Sequence, residues 1–162
     1  MNKNFEKLDI KLAVNNDPEL IIRSIKKKDI EILRNWKNQH KEFFFTKEAI
    51  SSTQQKKWFQ SYTLQTYNLM FIVSFKKENF GCMGIRWLKN NWDIYNVILG
   101  NKKHGSKGYM SQAFRIMINL AKELKIGRIK LDVIKYNPAI KWYEKQGFKV
   151  ISYSSDHYTM ML

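Results

Sequence analysis

Gly105-Ser-Lys-Gly108, set between the apolar run Tyr95-Asn-Val-Ile-Leu99 and the amphipathic segment Met110 to Leu124, decides how this chain folds. A glycine-bearing turn that opens a helix presents first-turn backbone N–H groups with no intrahelical partners, at the positive end of the helix dipole. Such a turn can surround phosphate, so a diphosphate cradle is expected at Gly105, Ser106, Lys107, Gly108, Tyr109 and Met110. Lys102, Lys103 and Lys107 add positive charge around it.

Downstream, Met110, Ala113, Phe114, Met117, Ala121 and Leu124 recur at three- and four-residue steps, which predicts a helix with one apolar face. Arg128-Ile-Lys-Leu-Asp-Val-Ile134 then reads as a strand. Strand Trp92 to Leu99, the helix and this strand therefore form a βαβ unit with parallel strands. Upstream, Leu69 to Phe75, Phe80 to Leu88 and Trp92 to Leu99 are separated by the turn-like Lys76-Lys-Glu-Asn79 and Lys89-Asn-Asn91, an antiparallel meander. Before the meander, Leu20 to Ile25 reads as a strand. Lys28 to Gln39 reads as a helix carrying Ile30, Leu33 and Trp36 on one face, and Lys47 to Leu64 as a second helix after the aromatic knot Phe43-Phe-Phe45. After the βαβ unit, Asn137 caps a short helix with Pro138 at its first position and Gly147 just past its end. Phe148 to Tyr153 and His157 to Met161 close the sheet. The sum is an α/β chain: a mixed, mostly antiparallel central sheet of about seven strands, one parallel βαβ unit, and helices on both faces.

The 162 residues, 44% hydrophobic and 14% aromatic, suffice for one domain with a real core. That domain is expected at residues 20–162, after an N-terminal extension at residues 1–19 marked off by Asn15-Asn-Asp17 and Pro18. The net charge of +15 favours polyanionic partners such as nucleotide-linked molecules, nucleic acid or anionic lipid, although a source-wide bias toward Lys, Asn and Ile produces the same charge with no partner at all. One cysteine, Cys82, excludes an internal disulfide framework and a multi-cysteine metal site, and makes a reducing cytoplasm the expected compartment. His40, His104 and His157 lack metal-ligand spacing, so no metal is expected. The polar first twenty residues do not form a secretory signal, and no apolar run reaches the roughly twenty residues that span a bilayer, so a soluble protein is expected.

Two motifs carry a family resemblance over Leu20 to Leu162. Gly105-Ser-Lys-Gly-Tyr-Met110 aligns with the Q/R-x-x-G-x-G/A loop of the GNAT superfamily of N-acetyltransferases, matching at Gly108, with Gly105 where Arg or Gln is usual and Met110 where Gly or Ala is usual. Asn137-Pro-Ala-Ile-Lys-Trp-Tyr-Glu-Lys-Gln-Gly-Phe148 resembles the same family's N-x-x-A-x-x-x-Y-x-x-x-G-F signature, with its alanine one place early at Ala139. The resemblance implies acetyl-CoA as co-substrate, its diphosphate on the loop and its pantetheine arm paired like an added strand with Val97, Ile98 and Leu99, near Asn137. It implies that Tyr143 protonates the departing thiolate, a step suited to a phenol that keeps its proton at neutral pH. A main-chain N–H at Val97 to Leu99 is placed to bind the oxyanion. Asp93, Glu42 or a water relay removes the amine proton.

Leu33-Arg-Asn-Trp-Lys-Asn38, followed by Gln54 to Trp58, resembles the W-R-N start of GNAT enzymes that acetylate nucleotide-linked amino sugars, with Lys37 replacing the usual Arg. This implies a primary amine on such a sugar as acceptor, contacted by Trp36, Asn38, Phe44, Trp58 and Asp93. Protein N-terminal acetylation of the ribosomal-protein type and small-molecule or aminoglycoside acetylation are the alternative acceptors. A non-catalytic nucleic-acid-binding module is the alternative of another class, and it lacks any helix-turn-helix or RNA-recognition signature. Either a monomer or a homodimer suits the chain.

Overall fold

A computed structural model describes residues 7–162. Eight strands form one sheet: β1 (Lys11–Val14), β2 (Asp17–Ser24), β3 (Asn68–Phe75), β4 (Glu78–Leu88), β5 (Asn91–Leu99), β6 (Arg128–Ile134), β7 (Lys149–Tyr153) and β8 (His157–Met161). Four helices complete the chain: α1 (Ile30–Gln39), α2 (Ser52–Thr63), α3 (Tyr109–Leu124) and α4 (Ala139–Lys145). The strand order is β1-β2-β3-β4-β5-β6-β8-β7, every neighbouring pair antiparallel except β5 and β6. This is the expected mixed α/β sheet with its parallel βαβ unit, enlarged by one strand.

The added strand lies inside the segment expected as an N-terminal extension. Asn15 and Asn16 adopt φ of 51° and 60°, a pair of left-handed residues that folds β1 back on β2 through a two-residue turn. Val14 is fully buried, so residues 11–19 belong to the domain; residues 1–6 of the expected extension lie outside the described residues. The same left-handed pairing at Lys76-Lys77 and Lys89-Asn90 closes the other two hairpins of the meander.

The helix expected from Lys47 starts later, at Ser52. Ser51 accepts from Gln54 N at 3.2 Å while Gln54 Oε1 accepts from Ser51 N at 2.8 Å, a reciprocal cap that fixes the start and leaves residues 47–50 as loop. The helix expected after Asn137 begins at Ala139, with Pro138 as its flanking residue, and Asn137 Oδ1 instead accepts from Ala139 N at 2.9 Å. Gly147, at φ 98°, ends that helix as expected.

Two cores sandwich the sheet. On one face, Ala113, Phe114, Met117 and Ala121 of α3 and Tyr143 of α4 pack with Leu20, Phe71, Met83 and Leu131. On the other, Leu33 and Trp36 of α1 and Tyr62 of α2 pack against Ile72, Cys82 and Ile98. Phe114, 1% exposed, meets Trp142, Tyr143 and Phe148 at ring distances of 4.9, 6.1 and 6.0 Å, the aromatic cluster that fixes α4 against α3.

Candidate active site

β5 and β6 pair only at Asn91–Arg128, Trp92–Ile129 and Asp93–Lys130, and beyond Asp93 they diverge. The cause is on the other edge of β5: Asn96 adopts φ 49°, and the ladder to β4 shifts register between Cys82 and Gly84. A left-handed residue in a strand twists and bends it, and Asn tolerates that conformation better than the apolar residues beside it. The bend leaves the β6 side of Ile94 to Leu99 without a strand partner, an edge that an extended ligand can pair with.

A cavity of about 890 Å³ fills the opening. Val97, Ile98, Leu99, Asn137 and Tyr143 line it, together with Asp93, Glu42 and Phe44. The expected pantetheine edge, phenol and base candidates are therefore gathered around one space. Tyr143 is 8% exposed, its ring held by Trp142 and Phe148, and its hydroxyl makes no hydrogen bond among the described residues. Burial pushes the phenol's pKa above its ordinary range, so the hydroxyl stays protonated at neutral pH. Asp93 sits where β5 and β6 part. Its burial raises the carboxyl's pKa more than Arg86, whose Nε donates to Oδ2 at 3.0 Å, lowers it. Glu42 lies exposed on the rim, where its main-chain carbonyl accepts from Tyr136 Oη at 2.9 Å and Lys47 Nζ at 2.7 Å.

The glycine-bearing turn lies against the Leu99 end of the cavity, without lining it. Gly108 adopts φ 74° and Ser106 φ 59°, and α3 starts immediately after, at Tyr109. The backbone N–H groups of Ser106, Lys107 and Gly108 donate to no protein group among the described residues, and all three residues are exposed. These are donors without protein partners at a helix N-terminus, the donor chemistry that a diphosphate requires. Met110 does not obstruct it, because its thioether turns back onto Gly81. The turn is tied to the rest of the domain through Glu78, which accepts from Asn101 Nδ2 at 2.8 Å and pairs with His104 Nε2 at 3.0 Å. Ser111 Oγ accepts from Trp142 Nε1 at 2.9 Å and from Gln146 Nε2 at 3.1 Å, which locks the start of α3 to the helix that carries Tyr143.

The acceptor-side expectations divide. Phe44 lines the large cavity, and Trp58 lines a smaller one of about 260 Å³ between α1, α2 and the sheet. Trp36 does not reach either cavity. Its indole lies against Gly100, only 2.1 Å from where a side chain there would begin, so it packs into the core instead of facing either space, where the acceptor contact was expected. Asn38 is likewise withdrawn, since its side chain donates to Ile50 O at 3.0 Å and accepts from Ile50 N at 2.8 Å, pinning the loop before α2. Lys37 and Asn96 line both cavities and were not among the expected contacts. A polar Asn inside an apolar strand run was the sequence signal for the bend.

Among the described residues no group of three or more His, Cys, Asp or Glu is arranged to hold a metal, and no helix is long and apolar enough to cross a membrane. Residues 19–149 match the family described as Acetyltransferase (GNAT) domain. No curated protein matches the chain. Among solved structures, FdhC, a nucleotide-linked sugar GNAT, aligns with TM-score 0.77 at 15% identity over 96% of this chain and 90% of its own. RimL, a ribosomal L7/L12 alpha-N-protein acetyltransferase, aligns with TM-score 0.74 at 15% identity over 96% and 94%. Spermidine N-acetyltransferase from Vibrio cholerae aligns with TM-score 0.70 at 20% identity over 90% and 96%. At these identities the likeness is one of fold, and it is the family match over most of the chain that classifies it. The chain belongs to the GNAT acetyltransferase family and is an acetyl-CoA-dependent N-acetyltransferase.

Proposed function

We propose that this enzyme acetylates a primary amine on a nucleotide-linked amino sugar by direct attack in a ternary complex, with Tyr143 as general acid and Asp93 as general base. The observation that carries the reading is the single cavity of about 890 Å³ onto which Tyr143, Asp93 and the unpaired edge of β5 all open. Acetyl-CoA, when bound, supplies the thioester whose carbonyl the amine attacks.

The chain's own groups do the rest. Backbone donors at Ser106 to Gly108 hold the diphosphate, and the edge at Val97 to Leu99 holds the extended arm. Main-chain N–H groups on that edge stabilise charge developing on the carbonyl oxygen. Asp93 accepts the proton that the amine sheds, a task favoured by its raised pKa, and Tyr143 delivers a proton to the departing sulfur. Phe43, Phe44 and Phe45 form an aromatic wall suited to a sugar or base face. FdhC, similar in fold, acts within the nucleotide-linked sugar class.

A thiol-release screen across nucleotide-linked amino sugars, peptides, polyamines and aminoglycosides tests the acceptor. Turnover with the nucleotide-linked sugars well above the other classes is expected. Turnover confined to peptides, or to polyamines and aminoglycosides, overturns the assignment.

A further inference from the structure

We infer that Lys37 forms an anion subsite at the junction of the two cavities, where it receives a phosphate or carboxylate carried by the amine acceptor. The inference deepens the proposed function and rests on it for the word acceptor. The subsite itself stands on separate geometry.

Lys37 sits on the last turn of α1 and lines both the 890 Å³ and the 260 Å³ cavities. Its Nζ donates to Asn96 Oδ1 at 2.8 Å and lies 5.0 Å from the centre of the Phe44 ring. No carboxylate oxygen among the described residues lies within 4.0 Å of it. Two titratable neighbours act on Lys37: Cys82, whose ionised form would favour the ammonium but whose thiol, pushed up to about 12 by burial, stays neutral at pH 7, and the cation Arg86, whose own partner is Asp93. Glu48 and Glu42 share the cavities but stand exposed on their rims.

An ammonium with three donor protons and one neutral acceptor, half withdrawn from water beside a second cation, is costly unless a ligand balances it. Burial accordingly lowers its pKa. An anion at the junction restores the missing charge and takes the free donors, and charge-assisted bonds of this kind are the strong ones. The walls of the smaller cavity, Leu33, Ile50, Trp58, Met70 and Ile98, are largely apolar and carry no second cation. Only the part of the acceptor at Lys37 therefore needs to be anionic. An acceptor anchored there extends its amine into the larger cavity, which Tyr143 lines.

The test titrates coenzyme A-saturated protein, its diphosphate turn filled, with inorganic phosphate and separately with acetate, using calorimetry on wild type, Lys37→Met and Lys37→Arg. Saturable binding of at least one anion is expected in wild type and Lys37→Arg, weakened about tenfold or more in Lys37→Met, the scale of a lost charge-assisted bond. The stronger of the two anions identifies the group. Equal binding by wild type and Lys37→Met overturns the subsite. In the thiol-release assay, the ratio of kcat/KM for an amino sugar phosphate over its unphosphorylated parent, and for an amino acid over its amide, falls by the same factor in Lys37→Met and recovers in Lys37→Arg. Unchanged ratios for both pairs also overturn it. Should the protein fail to bind coenzyme A, the proposed function falls, and the anion titration on the free protein still decides the subsite by its dependence on Lys37.

Discussion

The Met110 thioether lies against Gly81: a Cβ built on Gly81 falls 2.6 Å from Met110 Sδ and 3.0 Å from the carbonyl oxygen of Ile98. The relationship explains how a bulky residue stands at a loop position where the family usually carries Gly or Ala. The helix starts at Tyr109, so the Met110 side chain is directed back across β4, where the bare backbone of Gly81 provides room. The bulk of Met110 fits the bare backbone of Gly81, two sites distant in sequence and adjacent in space. Gly81→Ala therefore overpacks this contact and costs about 1–3 kcal/mol in chemical denaturation. Combining it with Met110→Ala recovers part of that loss, leaving the share due to the Ile98 carbonyl.

Tyr143→Phe removes a hydroxyl that makes no hydrogen bond among the described residues and keeps the buried ring. Turnover is expected to fall about 100-fold, the low end for loss of a general acid, with acetyl-CoA affinity nearly intact. Steady-state kinetics beside calorimetry separate the two, and unchanged turnover removes the assignment. Because burial raises the pKa of the phenol, the wild-type rate has no alkaline decline from this group up to its ordinary value near 10.

Asp93 supplies the opposite limb. Its folded pKa is raised above the unfolded value of 3.8, so its contribution to stability is full below 3.8 and is lost as pH rises through the folded value. At neutral pH the ionised carboxylate is thus a burden on the fold. Asp93→Asn is expected to melt at or above the wild-type temperature at pH 7 while kcat falls about 100-fold. The acidic limb of the wild-type kcat profile, set above the ordinary carboxylate range, disappears in the variant. A lower melting temperature with unaltered kcat would show a purely structural carboxylate.

Gly108→Glu tests the turn. At φ 74° any side chain is strained by about 1–2 kcal/mol, yet a Cβ there meets only Gln112 Nε2 at an ordinary 3.7 Å, so the fold tolerates one. The added carboxylate stands beside the free N–H groups and repels a diphosphate. Calorimetry is expected to find coenzyme A binding abolished in a folded variant, and wild-type affinity would move the cofactor site elsewhere.

Arg23 and Asp29 brace the base of α1 with two bonds of 2.7 and 2.9 Å, the carboxylate also accepting from Lys26 N at 2.7 Å. Burial raises the pKa of Asp29, but the Arg23 bonds and the Lys26 N–H outweigh it and hold the value below 3.8. The stability gained is present above the unfolded value and lost as pH falls through the depressed one. Arg23→Ala leaves a carboxylate side chain 3% exposed without its partner and costs about 3 kcal/mol at pH 7, read from the urea midpoint. The gap to wild type narrows as the pH is lowered past 3.8.

What the sequence by itself determined is what short stretches encode. The periodicity of Met110 to Leu124, the alternation through the meander and the glycine at the head of α3 each depend on neighbours a few residues away, and those elements stand where the residues place them. The left-handed asparagines at Asn15 and Asn16 were equally local, but without the partner strand their turn resembled a loose linker. Tertiary structure alone decided which of two tryptophans, Trp36 or Trp58, fills a core and which lines a cavity, because the answer lies in Gly100, far along the chain. It also decided that Asp93 is buried where two strands separate while Glu42 stays in water. The protonation and packing of such groups are set by dielectric and by contacts across the sheet, which sequence separation does not reveal.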